Sequence, residues 1–271
     1  MENKIINALK EYTQHNNIFL TERGNKAILT ALRIVKEKYP NGRILIPDQG
    51  GWITHFQYAE KLKFEIVKLK TNYGVIDLDI LNENIKDASA IIYSNPAGYY
   101  AEQPIKEIHR ICKESNVMVI LDISGCIGSD FYHGNFADII VCSFGRWKPI
   151  NLGYGGFISA DNDLFKNSKN YLENLEFKKD YYESLYKKLI NLKRRYEFFE
   201  NMNRKIKSDL KLFNIIHKNK NGINVIVKFN NEEGKNKIIN YCEKNKYEFV
   251  ECPKMIRVNS DAISIEVKRL E

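Results

Sequence analysis

Val117-Met-Val-Ile-Leu-Asp122 and Asp138-Ile-Ile-Val-Cys-Ser143 are the stretches that decide the fold class. Each is a short apolar run with no polar alternation, and each stops on a polar side chain. Strands that face water on one side alternate apolar and polar residues, whereas a continuous apolar run of this length marks a strand covered on both faces. The strands are therefore taken as Val117–Leu121 and Asp138–Cys142, with Asp122 and Ser143 just beyond them.

Working outward, the same alternation of strand and helix recurs. Asn25 to Lys38 places Ala27, Ile28, Ala31, Leu32 and Val35 on one helical stripe, and Asn41-Gly42 then turns the chain into an apolar strand, Arg43–Pro47. Ile53–Leu62 reads as helix, Phe64–Leu69 as strand, and Ala88–Tyr93 as a further strand ending at Ser94-Asn95-Pro96. Pro104–Ser115 is a helix with proline near its first turn. Gly156–Ser159 is another strand. This succession predicts an α/β fold, a three-layer αβα large domain built on a mostly parallel sheet. From about Leu164 to Ile216 the pattern becomes long charged helices. Strand Gly222–Phe229, helix Glu232–Asn245 and strands Met255–Val258 and Ala262–Lys268 follow, giving a smaller C-terminal α+β domain. The expected division is residues 1–163 and 164–271.

Composition narrows the function classes. The chain has 271 residues, 44% of them hydrophobic, enough for a substantial core. Its longest apolar runs are strand-length, so no membrane span is expected. Met1-Glu-Asn-Lys-Ile-Ile-Asn lacks an apolar signal core, which points to the cytoplasm. The net charge of +8 raises the question of nucleic acid. Much of the excess, as in Lys193-Arg194-Arg195, alternates with Glu, Tyr and Leu at helical spacing, as on a solvated helix face, so nucleic-acid binding is not expected. The five cysteines (112, 126, 142, 242 and 252) form no CxxC pair and read as buried free thiols. His15, His55, His109, His133 and His217 form no ligand-spaced cluster, so no metal is expected.

In open α/β sheets, ligand-contacting residues lie just past the carboxyl ends of strands. Asn95, Asp122 and Ser143 fall there, and Lys148 follows within Ser143-Phe-Gly-Arg-Trp-Lys148, ahead of Gly153-Tyr-Gly-Gly156. Each has a plainer reading: Asp122 as a strand-end cap, Asn95-Pro96 as a turn pair, Lys148 as one of many surface lysines.

In this order the residues resemble the fold-type-I pyridoxal-phosphate (PLP) enzymes, most closely the DegT/StrS aminotransferases that aminate keto-sugars. The shared pattern is an apolar strand ending in Asp, then Ser-Phe-x-x-x-Lys and a Gly-Gly-apolar strand, here Asp122, Ser143-Phe144 to Lys148, and Gly155-Gly156-Phe-Ile. Thr21-Glu-Arg-Gly24-Asn25-Lys-Ala27 resembles the family's phosphate turn, and Trp52 stands where the family places a stacking aromatic residue. The likeness spans about residues 20–160. It implies PLP as cofactor, a small-molecule amino donor, a keto acceptor, and a homodimer.

The resemblance also assigns roles. Lys148 would form the Schiff base and shuttle the proton at the substrate carbon. Asp122 would face the pyridine nitrogen and keep it protonated. Gly24, Asn25 and Ser143 would receive the phosphate, since a helix amino terminus offers uncommitted N–H donors. Trp52 would stack on the ring, and Asn95 would bond its phenolic oxygen. Trp52 is equally readable as core packing and Gly24 as a simple turn. Arg257 reads either as a ligand for a substrate carboxylate or as a solvated arginine at a strand edge, and Arg146 as a further cation in the lysine loop.

The chain departs from the family at three places: 23 residues before Gly24, Ile123-Ser-Gly-Cys126 where Gln or His is usual, and Pro149 after the lysine. The acceptor is thus left open between keto-sugar and keto acid. Other reactions on the same cofactor (lyase, desulfurase or decarboxylase), or a binding protein without catalysis, remain as alternatives.

Overall fold

A computed structural model of the protein describes residues 1–132, 135–166 and 168–270; His133 lies outside the described residues. Helix α1 (Glu2–Thr13) and strand β1 (Asn17–Thr21) come first, followed by α2 (Gly24–Lys38), β2 (Arg43–Pro47), α3 (Thr54–Lys61) and β3 (Glu65–Leu69). A small hairpin of β4 (Thr71–Asn72) and β5 (Val75–Ile76) leads into α4 (Leu78–Asn84), β6 (Ala88–Ser94) and α5 (Ile105–Glu114). Strands β7 (Met118–Asp122), β8 (Ile139–Ser143) and β9 (Gly156–Ala160) complete the large sheet. Helices α6 (Asn162–Lys166), α7 (Lys169–Leu172), α8 (Tyr182–Ile190) and α9 (Leu192–Asp209) then connect to the second sheet. Its elements are β10 (Asn214–Ile215), β11 (Val225–Lys228), α10 (Glu232–Lys244), β12 (Phe249–Cys252) and β13 (Ala262–Ile265).

The large sheet has seven strands in the order β1-β9-β8-β7-β6-β2-β3. Strands β8, β7, β6, β2 and β3 run parallel, and β9 is antiparallel to both its neighbours, β1 and β8. The continuous apolar runs are explained by what covers them. On β7, Val119 and Leu121 join one core with Ile5, Ile108 and Leu185 of α1, α5 and α8. Met118 and Ile120 join the opposite core with Ile28, Ala31 and Ala59 of α2 and α3. Successive side chains on a strand point to opposite faces, so a strand between two helical layers must be apolar at every position. The three-layer αβα arrangement is the result.

The second sheet is antiparallel, ordered β10-β11-β13-β12, and packs Val225, Val227, Ile263 and Ile265 against Phe199 and Ile206 of α9 and Ile238 of α10. Backbone bonds tie it to the large sheet's loops: Ile223 N–H donates to Tyr99 O at 2.7 Å and Gly50 N–H to Met255 O at 2.7 Å. At Gly222 a Cβ would lie 2.5 Å from the Tyr99-proximal backbone at Tyr100 C, so only glycine permits this approach.

Several boundaries differ from expectation. Met255–Val258 is a turn, closed by Lys254 N–H to Val258 O, and the strand of this region lies earlier, at β12. Pro253, which has no N–H to give a ladder, ends β12, and the following segment docks on the Gly50 loop instead. Strand β13 stops at Ile265 rather than Lys268 because Glu266 turns into a buried ion pair. The charged stretch after Leu164 begins with two short helices, α6 and α7, before α8 and α9. Helix α1, strand β1, helix α4 and the β4–β5 hairpin lie outside the elements read from the sequence. All five cysteines are buried and free. No helix among the described residues is long and apolar enough to cross a membrane.

Ile120 is fully buried on the central strand. Ile120→Ala is expected to lower stability by about 2–5 kcal/mol, through lost transfer energy and the cavity left behind. Urea unfolding followed by circular dichroism would read this as a lower midpoint.

Candidate active site

The carboxyl ends of β7 and β8 open onto a cavity of about 390 Å³, which Gly24, Asn25, Trp52, Asp122, Ser143 and Lys148 all line. Six of the seven sequence-predicted site residues are thereby brought together. The seventh, Asn95, does not line the cavity. Its Oδ1 accepts from Gln103 N at 2.9 Å and its Nδ2 donates to Cys126 Sγ at 3.5 Å, so the amide holds the turn after β6.

Asp122 is the last residue of β7 and is 6% exposed. Its Oδ1 accepts from Ser124 N at 2.9 Å, an Asx turn that bends the chain away from the strand. His55 on α3, fully buried, brings Nε2 to 3.6 Å from Oδ2, beyond hydrogen-bond length. Burial pushes the Asp122 carboxyl up, but His55 and then Ser124 outweigh it and hold the group below its ordinary value. Asp122 is thus an ionised carboxylate in a nearly dry place.

Lys148 projects from the loop after β8, where Trp147 (φ 61°) adopts a left-handed backbone and bonds Asn151 Oδ1 through its N–H at 2.9 Å. Its Nζ donates to the Tyr99 hydroxyl and lies 5.2 Å from the centroid of the Trp52 ring. Fully buried Cys142 senses both chemical partners. Burial pushes its thiol up, the Asp122 charge adds to that, and Lys148 opposes it.

The start of α2 meets the end of β8 at Gly24. A Cβ there would fall 2.4 Å from Ser143 Cβ and 2.9 Å from its Oγ, so only glycine lets the helix terminus come this close. No side chain caps α2 at Arg23, which leaves first-turn N–H groups available beside the Ser143 hydroxyl. Trp52 is pinned by its Nε1–H to Asn25 Oδ1 at 2.9 Å.

Residues that sequence reasoning did not assign complete the wall. Ser124 could have been found as the second residue past Asp122 in a short Asx turn. Tyr99, held at φ 72°, and Lys268 gave no signal, because tertiary contacts alone place them. Arg257 lines the cavity and is not a solvated strand-edge residue. It is 4% exposed and clasps Glu266 with two bonds, Nε to Oε1 and Nη2 to Oε2, both 2.8 Å. Arg146 is exposed at the mouth, its guanidinium 4.7 Å from the Trp147 ring centroid. Among the described residues, no group of three or more His, Cys, Asp or Glu side chains is placed to hold a metal.

An anion cradle, an ionised buried carboxylate, an amine and a flat indole fit one ligand with a phosphate, a basic ring nitrogen and a carbonyl. The solved structures that resemble this chain point to the same class. The aminotransferase PseC of Helicobacter pylori, involved in the biosynthesis of pseudoaminic acid, superposes with a TM-score of 0.75 at 18% identity, over 97% of this chain and 84% of that one. Serine palmitoyltransferase from S. paucimobilis with bound PLP–myriocin gives 0.76 at 14% identity, over 98% and 71%. Sphingosine-1-phosphate lyase of Burkholderia pseudomallei gives 0.77 at 11% identity, over 99% and 70%. At these identities the likeness is one of fold, that of the fold-type-I PLP enzymes.

Residues 2–201 match the model of the DegT/DnrJ/EryC1/StrS aminotransferase family, and the chain belongs to that family, whose cofactor is PLP. Residues 193–271 match the MJ1341 family C-terminal domain. No curated protein matches the chain in sequence.

Glu266, beneath the cavity wall, is 1% exposed. Burial pushes its carboxyl up, but the bonds and charge of Arg257, then Lys268 and Ser264, pull it down to about 2. Its folded value lies below the ordinary 4.5, so its contribution is complete above pH 4.5 and is lost as pH falls toward 2. Glu266→Gln is expected to cost about 3–5 kcal/mol at neutral pH, by stranding buried cations. It should also flatten acid unfolding across that window, as measured by urea midpoints between pH 7 and 2.

Proposed function

We propose that the chain is a PLP-dependent aminotransferase that moves an amino group from a small-molecule donor to a keto acceptor, with Lys148 and Asp122 as its catalytic residues. The observation that carries this reading is the convergence of the Lys148 amine and the ionised Asp122 carboxylate on one cavity at the carboxyl edge of the sheet. Family membership supports it independently.

When bound, PLP supplies an electron sink for the bond broken at the substrate carbon. Asp122 holds a proton at the pyridine nitrogen, and a carboxylate kept ionised inside the protein does this better than a solvated one, because little water screens it. Gly24, Asn25 and Ser143 bind the phosphate through the uncapped start of α2 and the hydroxyl. Trp52 limits tilting of the ring, its own orientation fixed by Asn25. Lys148 Nζ would hold the cofactor and would move the proton at the substrate carbon. The Tyr99 hydroxyl, bonded to Nζ, would keep the amine oriented over the site. Asn95 acts at one remove, by holding the turn that carries Tyr99.

Borohydride treatment of the yellow holoprotein is expected to fix the chromophore on the peptide containing Lys148. Lys148→Ala should take no label, and should lose at least about 10³-fold in activity on a panel of amino donors, scored by keto-product formation. A label on another lysine would refute the assignment. Donors consumed without transfer of their amino group would instead favour a lyase or decarboxylase.

The family resemblance also supports a homodimer. Sedimentation equilibrium is expected to return twice the mass of one chain, and a monomer at micromolar concentration would refute it.

A further inference from the structure

Asn95, the residue expected at the phenolic oxygen of the cofactor, is committed to Gln103 and Cys126 and does not line the cavity. That leaves one polar atom of the ligand without a protein donor, although an oxyanion withdrawn from water needs one. The turn that Asn95 holds runs on to Tyr99, which does line the cavity and whose hydroxyl is bonded by Lys148 Nζ. The hydroxyls nearer the two strand ends have other work. Ser124 Oγ accepts from Ser143 N–H at 2.8 Å and its side chain bonds the Asp122 carboxylate. Ser143 Oγ accepts from Gly145 N–H at 3.1 Å and stands against Gly24 at the anion cradle.

The Tyr99 side chain is fixed by what surrounds its ring. At Gly125, in the turn that follows Asp122, a Cβ would lie 2.9 Å from Tyr99 Cδ1, so the ring fills the space that a side chain there would take. Lys268 Nζ stands 4.1 Å and the Arg257 guanidinium 5.1 Å from the ring centroid, contacts that attract cation to π face. The backbone is held as well: Tyr99 O accepts from Ile223 N–H at 2.7 Å, with φ at 72°. The hydroxyl is therefore positioned through the ring and main chain, and its own proton is not needed to keep it there.

We infer that Tyr99 is a cofactor-binding residue of this chain, its O–H donating to the phenolic oxygen of PLP in place of Asn95. The inference rests on the reading of the cavity as a PLP site. Covalent structure carries it: the aldehyde carbon that Lys148 Nζ must reach and the phenolic oxygen hang on neighbouring atoms of one ring. A hydroxyl already in contact with Nζ is thus within reach of that oxygen. Towards an ammonium the hydroxyl acts as acceptor. Once the nitrogen is bonded to carbon it has fewer protons to give, and the phenol proton is free to turn to the oxygen beside it. A hydrogen bond to an oxygen that bears charge is roughly twice as strong as one between neutral groups, so the contact has a measurable effect on cofactor affinity.

Equilibrium binding of PLP and of 3-deoxypyridoxal 5′-phosphate, which lacks the phenolic oxygen, tests this on the wild-type chain and on Tyr99→Phe. Phenylalanine keeps the ring against Gly125 and removes the hydroxyl alone. Wild type is expected to prefer PLP, and the ratio of the two dissociation constants should fall roughly tenfold in Tyr99→Phe. Loss of the Nζ contact weakens both compounds alike and leaves that ratio unmoved, so the ratio reads the phenolic oxygen and not the lysine. Absorbance of the PLP-loaded proteins across pH gives a second readout. A donor at the oxygen favours the form in which it carries the fuller negative charge, so the pH midpoint of the colour change should rise by about one unit in Tyr99→Phe. An unchanged ratio or an unchanged midpoint overturns the inference, and so does a wild type that binds the two compounds equally, whatever the state of the variant. Any of these results in a protein that binds PLP sinks this inference alone. A wild type that takes up neither compound sinks the proposed function and this inference with it.

Discussion

A carboxylate taken out of water costs several kcal/mol unless donors and opposite charge replace the solvent. Asp122 meets that cost at the end of a strand whose every other side chain is buried. The local geometry follows from this requirement. The chain must turn at once after β7 so that Ser124 can present its N–H, and α3 lies across the strand end, with His55 Nε2 3.6 Å from the second oxygen. The β6 turn is drawn to the same point, Asn95 N–H bonding Asp122 O at 2.9 Å. A group held ionised in this way is a ready negative partner for whatever protonated ring nitrogen is brought to it.

Tyr99 is where the two sheets share the site. It follows β6, yet its ring faces Lys148 from the loop after β8 and Arg257 and Lys268 from the C-terminal segment. Its backbone carbonyl accepts from Ile223, which leads into β11. The cationic wall is therefore mechanically continuous with the lysine loop. Movement of the C-terminal sheet would change the surroundings of the Lys148 amine as well as the width of the cavity. The left-handed backbone at Tyr99 and Trp147 is of the kind that persists only where surrounding contacts over-determine it.

Much of this protein was legible from its chain. The unbroken apolar runs of β7 and β8, the stripe of α2, and the polar residues at strand ends follow from side-chain periodicity alone, so the layered sheet and the placing of Asp122, Ser143 and Lys148 near one edge could be read without coordinates. Gly24 and Trp52 came through the resemblance, because their roles depend on what they approach. Asn95 stands outside the cavity lining for a physical reason: a polar residue at a strand end can face the ligand or brace the next turn, and here its amide bonds Gln103 and Cys126. Glu266 interrupts what reads as one strand through Lys268, since burying its ion pair with Arg257 outweighs continuing the ladder. Periodicity is local, and it determined the elements. Charge compensation acts between residues far apart in the chain, so only the tertiary structure decided that Arg257, Lys268 and Arg269 gather on Glu266, with Glu248 as a second acid for Arg269.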